Sequence, residues 1–563
     1  MSEEKGNMVV YGKIYTAQVD ASQRGSDQYK MAEAMVVKDK RIVFVGSKEE
    51  AQKHITADTQ VIDYTDKGLI MPTCTNGHAH YLMGYSLGIV GKMIDESITD
   101  RAVLLTQFKE AVEKAKKNHI PVAFGFGWNY IFFKDNVPTR QELDAIATDI
   151  PIYMADAEGH KGVVNTRCLE IAGIMDKDGK VLKRGKDIRG GEIVMAADGT
   201  PTGLLLEQAG TYVRSKLDNE GLFPMSVAEQ TIELIQNHLL AEGYTIYMDG
   251  WSNYFYNSNL YKAAQKMDEE KGLRFIFGMS HEIESWADIP TNMQQAKVEQ
   301  QYQSKHVLPN WIKLFIDGTV EGGTGFVSRC YPDGHQGLVN WSEDEVADIT
   351  RRANGEGLSM HIHTMGDAAV HMAVSAFVKG GQDEKRNTIV HVRNVMSEDW
   401  QRMADHNIYA TSGMLWHRLF RGAPSMMRKM KLVPEGMEEE TYPMRSYFKY
   451  GIPVTSSTDF PALSGSPDSP FGVMQIAVLG LLDLTVEDPW WPAELLTREQ
   501  ALQALTLHGA KQLFLENERG SLEVGKYADF ILTDQDVLTC PVTKIAETKV
   551  VKTFFEGEEV YSL

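Results

Sequence analysis

Cysteine is scarce in this chain: four in 563 residues, at 74, 168, 330 and 540, with no CxxC pair. That usage supports neither a disulfide framework nor a zinc ribbon. Cys74 is read as a small core residue, although it lies four positions before a histidine pair. Positive charge is also in deficit. Lys and Arg number 57 against 77 Asp and Glu, giving a net charge of −20, which argues against nucleic acid and anionic membrane surfaces as partners. No run approaches the roughly 18 apolar residues needed to span a bilayer, and Met1-Ser2-Glu3-Glu4-Lys5 lacks the apolar core of a secretory signal. The expectation is a soluble cytoplasmic protein that meets a small-molecule substrate, with a homodimer as the default assembly. Internal repeats and low-complexity tracts are absent too.

What the chain does have is apolar material for a large core. Hydrophobic residues make up 43% of it and charged residues 24%, and its length exceeds what one small core organises. Residues 8–70 read as short strands, at 8–17, 34–37, 41–46 and 60–63, rich in Val, Ile and Tyr and broken by Gly and Asp. The tail from 528 to 561 reads the same way. Neither end suffices for its own core, so 1–70 and 506–563 are expected to form one composite β-sandwich. Between them, 71–505 alternates apolar strands with helical stretches such as 367–379 and 397–405, the pattern of a parallel (β/α)8 barrel. A barrel takes roughly 250 residues. The surplus points to an insertion near 120–225, around turns such as Asp176-Lys177-Asp178-Gly179-Lys180, read as partly a lid over the barrel mouth.

The first chemical signal is His78-Ala79-His80, shortly after the apolar stretch Gly68-Leu69-Ile70-Met71-Pro72. Residues i and i+2 of a strand share a face, so two imidazoles there can grip one cation. Later apolar runs end in further polar residues. Lys313 sits inside Trp311-Ile312-Lys313-Leu314-Phe315-Ile316-Asp317, where an unpaired ammonium is costly. It is either an ion-paired or snorkelling lysine, or a lysine carbamylated by CO2 into an anionic ligand able to bridge two metals. His363 ends the run 358–363, with His361 deeper on the same face and read as barrel-lining; His391 ends 387–391, and Asp459 ends 453–459. His363 to His391 is 28 residues, one βα unit, and His391 to Asp459 is 68, about two. Counting back from strand eight at Asp459 puts His391 on strand six, His363 on five, Lys313 on four and the histidine pair on one. Barrel active sites are built at such strand ends. The ordered set nominates His78, His80, Lys313, His363, His391 and Asp459 as metal ligands.

In that order the chain resembles the amidohydrolase superfamily, and more narrowly its family 3 (YtcJ-like, N-substituted formamide deformylase-like) branch. The resemblance covers nearly the whole chain. Its marks are Leu69-Ile70-Met71-Pro72 leading to Gly77-His78-Ala79-His80, Ile312 through Gly318, His361 through Asp367, and the tail Gly520 through Asp529. Asn165-Thr166-Arg167-Cys168-Leu169 and Gly203-Leu204-Leu205-Leu206-Glu207 match within the insertion. Two positions depart: Asn76 stands where the family usually carries Asp, and Val390 where it usually carries Glu.

The resemblance implies a metal-dependent hydrolase cleaving a C–N bond, an amide or an N-formyl or N-acyl amine, with one or two divalent ions: zinc, or alternatively iron or manganese. Metal-activated water would attack, with Asp459 as general acid and base. His160 is the candidate hydrogen-bond donor to the substrate carbonyl. Cyclic-amide hydrolysis, deamination and isomerisation on the same site are the alternatives, and a non-enzymatic binding protein is disfavoured because every expected ligand is present. Trp128 is read as core, with pocket lining as the alternative, and Glu207, in a helix-like stretch, as either near the site or solvated.

Overall fold

A computed structural model describes residues 5–19, 29–418, 433–437, 441–461, 468–480 and 492–563. Eight short apolar runs become the parallel strands β1 (Cys74–Ala79), β2 (Tyr244–Asp249), β3 (Ile276–Glu282), β4 (Val307–Phe315), β5 (Ser359–Thr364), β6 (Thr388–His391), β7 (Tyr409–Ser412) and β8 (Val454–Ser456). They pair in chain order. Most of their residues are buried, because helices cover the outer face and side chains fill the interior. The helix Glu343–Gly355 shows how the sequence punctuates this pattern. Ser342 and Glu345 form a capping box at its start, and Val346, Ala347, Ile349 and Ala353 turn one stripe to the core.

The barrel closes between β1 and β8. Asp459 N donates to His78 O at 3.1 Å and His80 N to Phe460 O at 2.6 Å. Asn76 ties the seam further: its Nδ2 donates to Thr458 Oγ1 at 2.7 Å and its Oδ1 accepts from Thr458 N at 3.2 Å. Asn76 Nδ2 also donates to Tyr81 Oη at 3.1 Å. A carboxylate could make neither donation. Below the strands, Gln512 Nε2, from the helix Leu507–Gln512, donates to Gly77 O at 3.1 Å, so chain as far as 512 packs on the barrel.

A six-stranded sheet is inserted between β1 and β2, built from Lys92–Met93, Ala123–Trp128, Ile152–Asp156, Lys161–Val164, Gly191–Met195 and Pro201–Glu207. It begins earlier than the Gly- and Asp-rich turns suggest. Leu104, Phe108, Trp128, Leu143, Ile152 and Met154 give it a core of its own. Trp128 belongs there, fully buried, with Nε1 donating to Met154 O at 3.0 Å.

The two chain ends share the third sheet, of eight strands: Met8–Val19, Tyr29–Lys38, Arg41–Gly46, Gln60–Asp63 and Leu69–Pro72 from one end, Phe530–Thr533, Val550–Phe555 and Glu558–Ser562 from the other. Leu69–Pro72 lies between them, pairing Ile70 with Ile14 and Met71 with Ile531. Val10, Ile14, Met35, Ile70, Phe530 and Phe554 make one apolar cluster, so neither end buries its hydrophobic face without the other. Among the described residues no helix is long and apolar enough to cross a membrane.

Candidate metal centre and its pocket

β1 delivers His78 and His80 to the C-terminal mouth of the barrel. Asp459, three residues beyond β8, meets both: its Oδ1 lies 3.4 Å from His78 Nε2 and 3.3 Å from His80 Nε2. These three side chains place one ligand atom each within 4.8 Å of one another. His391, ending β6, approaches Asp459 Oδ2 with Nδ1 at 3.8 Å, and its ring centroid is 4.5 Å from that of His363 on β5. His361 sits deeper on β5, its Nε2 2.8 Å from His78 Nδ1, and so orients that imidazole. Lys313, on β4, is fully buried with Nζ 4.4 Å from the Phe315 ring centroid. The strand numbers counted from sequence intervals match those observed.

The backbone is strained where these groups converge. His391, Asp459 and Glu207 have φ of 68°, 54° and 48°, a region costing non-glycine residues about 1–3 kcal/mol each and tolerated mainly where surrounding structure enforces it.

Burial holds His78, His361 and His363 well below the ordinary imidazole range, with Lys313 adding to the effect, and pushes His391 down to about 3. A lowered imidazole pKa favours the form whose lone pair can meet a metal. Burial alone would raise Asp459, but His391, His78 and His80 outweigh it and hold the carboxyl well below the usual range. Lys313 is pushed down to about 7 by burial, against the pull of Asp459, Glu282 and Asp249. His78 Nε2, His80 Nδ1, His361 Nδ1 and Lys313 Nζ are buried without a hydrogen-bond partner, a cost that folded proteins rarely leave unmet. Two imidazoles and a carboxylate, with orphaned nitrogens among them, fit a divalent transition-metal ion.

A cavity of about 300 Å³ opens above this cluster, its wall including His80, His363, His391 and Asp459. The insertion contributes Tyr130 and His160, the end of β4 contributes Phe315, and the loop after β2 contributes Trp251 and Tyr254. His160 Nδ1 lies 2.7 Å from Glu207 Oε2, which leaves Nε2 as its free donor. Burial opposes a charge on His160, but Glu207 more than compensates and raises its pKa. Glu207 is thus beside the site and not solvated, and it ends a strand where a helix-like stretch was expected.

Two residues escape the sequence reading. Asp249 ends β2 as Asp459 follows β8; its Oδ1 accepts from Trp251 N at 3.0 Å and Ser252 Oγ at 3.1 Å. The apolar run Tyr244–Met248 before an acid was the available signal. Glu282 ends β3 in register with Lys313, fully buried with neither carboxylate oxygen hydrogen-bonded. In the sequence it is the residue after His281 at the end of the same strand, and no spacing sets it apart.

A protein-family model described as an amidohydrolase family matches residues 60–561. The N-substituted formamide deformylase of Arthrobacter pascens is 26% identical, over 99% of this chain and 98% of that protein. The putative amidohydrolase YtcJ of Bacillus subtilis (strain 168) is 23% identical, over 94% of this chain and 96% of its own. Among solved structures, an uncharacterized metal-dependent hydrolase from Pyrococcus horikoshii OT3 aligns with a TM-score of 0.69 at 21% identity, covering 95% of this chain and 99% of that one. At that identity the likeness concerns the fold.

Proposed function

The chain belongs to the amidohydrolase family, and from that premise we propose that it hydrolyses the C–N bond of a small amide, an N-formyl or N-acyl amine, with zinc held by His78, His80 and Asp459. The observation that carries the reading is the convergence of those three side chains, with their unsatisfied nitrogens, at the mouth of the barrel. His363, His391 and Lys313 would complete the ligand set. Lys313 is suited to carbamylation: burial favours its neutral amine, which adds to CO2 by forming an N–C bond and releasing a proton.

A divalent ion here supplies Lewis acidity, polarising a carbonyl and lowering the pKa of water. Asp459 accepts the water's proton at a carboxylate oxygen and returns it to the leaving nitrogen. For a formamide, R–NH–CHO and water thus yield an amine and formate. His160, held by Glu207, donates from Nε2 to the carbonyl oxygen as charge develops on it. Trp251, Tyr254 and Phe315 bind the apolar part of the substrate and keep bulk water out. The deformylase relative acts, by its name, on N-substituted formamides, which makes N-formyl amines the first substrates to try.

The test is metal content per chain by elemental mass spectrometry on protein purified without chelator, followed by assays of formate and amine release from N-formyl and N-acyl amines. About two equivalents of metal support the Lys313 bridge and about one a mononuclear site. No metal after reconstitution with zinc, iron or manganese would overturn the hydrolase reading.

A further inference from the structure

Lys161 has no part in the reaction just described, yet it stands in the cavity wall with its ammonium buried, which is costly for a charge. Its side chain is 2% exposed, and Nζ has no hydrogen-bond partner. The nearest carboxylates, Glu158 Oε2 at 3.6 Å and Asp156 Oδ2 at 3.9 Å, stand beyond bonding distance. Both have other engagements: Asp156 Oδ1 accepts from Lys161 N at 2.9 Å, and Glu158 Oε2 accepts from Thr319 Oγ1 at 2.9 Å. The Tyr130 ring centroid is 4.8 Å away. Burial works against the charge, but Glu158 and Asp156 outweigh it, so Lys161 is held above the usual lysine range. Burial also pushes Asp156 itself up, against the pull of Lys161. The ammonium thus lies buried without a hydrogen-bond partner, in the wall of the cavity that His80 and Asp459 also line.

Lys161 also lines a second cavity, of about 570 Å³, which shares Tyr130, Ile131 and Glu321 with the first. Lys134 and Lys186 stand in its wall, both exposed, and among the described residues neither forms an ion pair. The acids opposite are largely engaged: Glu321 takes Arg393 Nε at 2.7 Å, and Asp333 lies 3.2 Å from His335 Nε2. Glu192 is the remaining carboxylate in that wall. On a protein of net charge −20, Lys134 and Lys186 thus line a recess that leads to the buried ammonium of Lys161.

We propose that Lys161 is a specificity subsite for a carboxylate carried by the substrate, which enters past Lys134 and Lys186 and leaves its scissile amide at the His78–His80–Asp459 cluster. Glu158 and Asp156 limit the site to a monoanion, since a phosphate dianion would meet both acids. The inference rests on the hydrolase reading for its substrate, and on the geometry of Lys161 for the subsite itself.

The test compares N-formyl ω-amino acids of graded chain length with their primary amides, on the zinc-loaded full chain. The acid is expected to exceed its amide in kcat/KM by about tenfold or more, the usual worth of a hydrogen bond to a charged group. Lys161→Met should bring the ratio near one, and Lys134→Ala with Lys186→Ala should lower kcat/KM for the acid and flatten its salt dependence. Equal turnover of acid and amide by wild type, or a preference that survives Lys161→Met, overturns the subsite. If neither compound is hydrolysed, the hydrolase reading fails while the subsite is still decided by calorimetry with hexanoate and hexanamide. Tighter hexanoate binding in wild type, lost in Lys161→Met, supports it, and equal binding in both sinks it. Should Lys161→Met not fold, the wild-type ratio of acid to amide and the two surface substitutions decide the matter alone.

Discussion

Gly250 follows β2 and presses against the histidine pair, so Gly250→Ala tests whether that pair must sit where the structure has it. A Cβ at 250 would lie 2.1 Å from His78 Cε1, 2.5 Å from His78 Nδ1 and 2.9 Å from His80 Cε1. Carbon atoms pack at about 3.5–4.0 Å, so something must move by more than about 1 Å. The backbone has little freedom to do so, because Gly250 N donates to Ala79 O at 3.0 Å. His78 has none either: it is fully buried and held 2.8 Å from His361. Since φ at 250 lies outside the left-handed region, alanine brings no backbone strain, and the perturbation is steric alone. Overpacking of this kind costs about 1–3 kcal/mol, while disturbance of ligand orientation typically costs about 10–100-fold in metal affinity. Zinc affinity by chelator competition, with thermal unfolding of the metal-free protein as a control, reads both. A folded Gly250→Ala protein whose zinc affinity stays within about twofold of wild type would refute the placement of His78 and His80 as ligands.

Lys313→Ala should lower metal content and turnover, with partial rescue by short carboxylates; unaffected metal loading would rule out the carbamate. Asp459→Asn should cut turnover by at least about 10²-fold, as loss of a general acid and base does, and turnover near wild type would show that the proton travels elsewhere. Asn76→Ala removes the side-chain bonds to Thr458 across the barrel seam. It should cost about 1–3 kcal/mol in denaturant unfolding, with weakened zinc binding through the displaced Asp459 loop; an unchanged midpoint would show that the seam does not depend on it. Arg101 holds Glu142 below its ordinary 4.5, at about 2. A lowered carboxyl stabilises the fold above its unfolded pKa, and that gain is lost as pH falls through the folded one. The difference in Tm between wild type and Glu142→Gln should therefore be full at pH 7 and shrink between about 4.5 and 2.

The candidate site residues were legible at their strand ends because a barrel strand has a fixed period and a fixed polarity. His78 and His80 share a face by alternation, and intervals of 28 and 68 residues place His363, His391 and Asp459 on strands of known number. The same logic applied to Tyr244–Asp249 would have found Asp249. Other features depend on chain brought together from afar. That Glu207 buttresses His160, and that Asn76 staples Thr458 over a separation of 382 residues, follows from no local pattern. The insertion offered turns and short apolar runs, and these set neither where its sheet begins at Lys92 nor which of its side chains overhang the barrel mouth.

The sequence by itself determined the barrel, the dependence of the two chain ends on each other, and the candidate metal-binding residues. Hydrophobic period and strand-end position are local properties that survive reading one residue after another. Tertiary structure alone decided which of those residues touch, that Glu207 is buried against His160, and that the Lys161 ammonium is left unshared between two cavities. Burial and partnership depend on what the rest of the chain puts around a side chain, and no spacing along the chain encodes that.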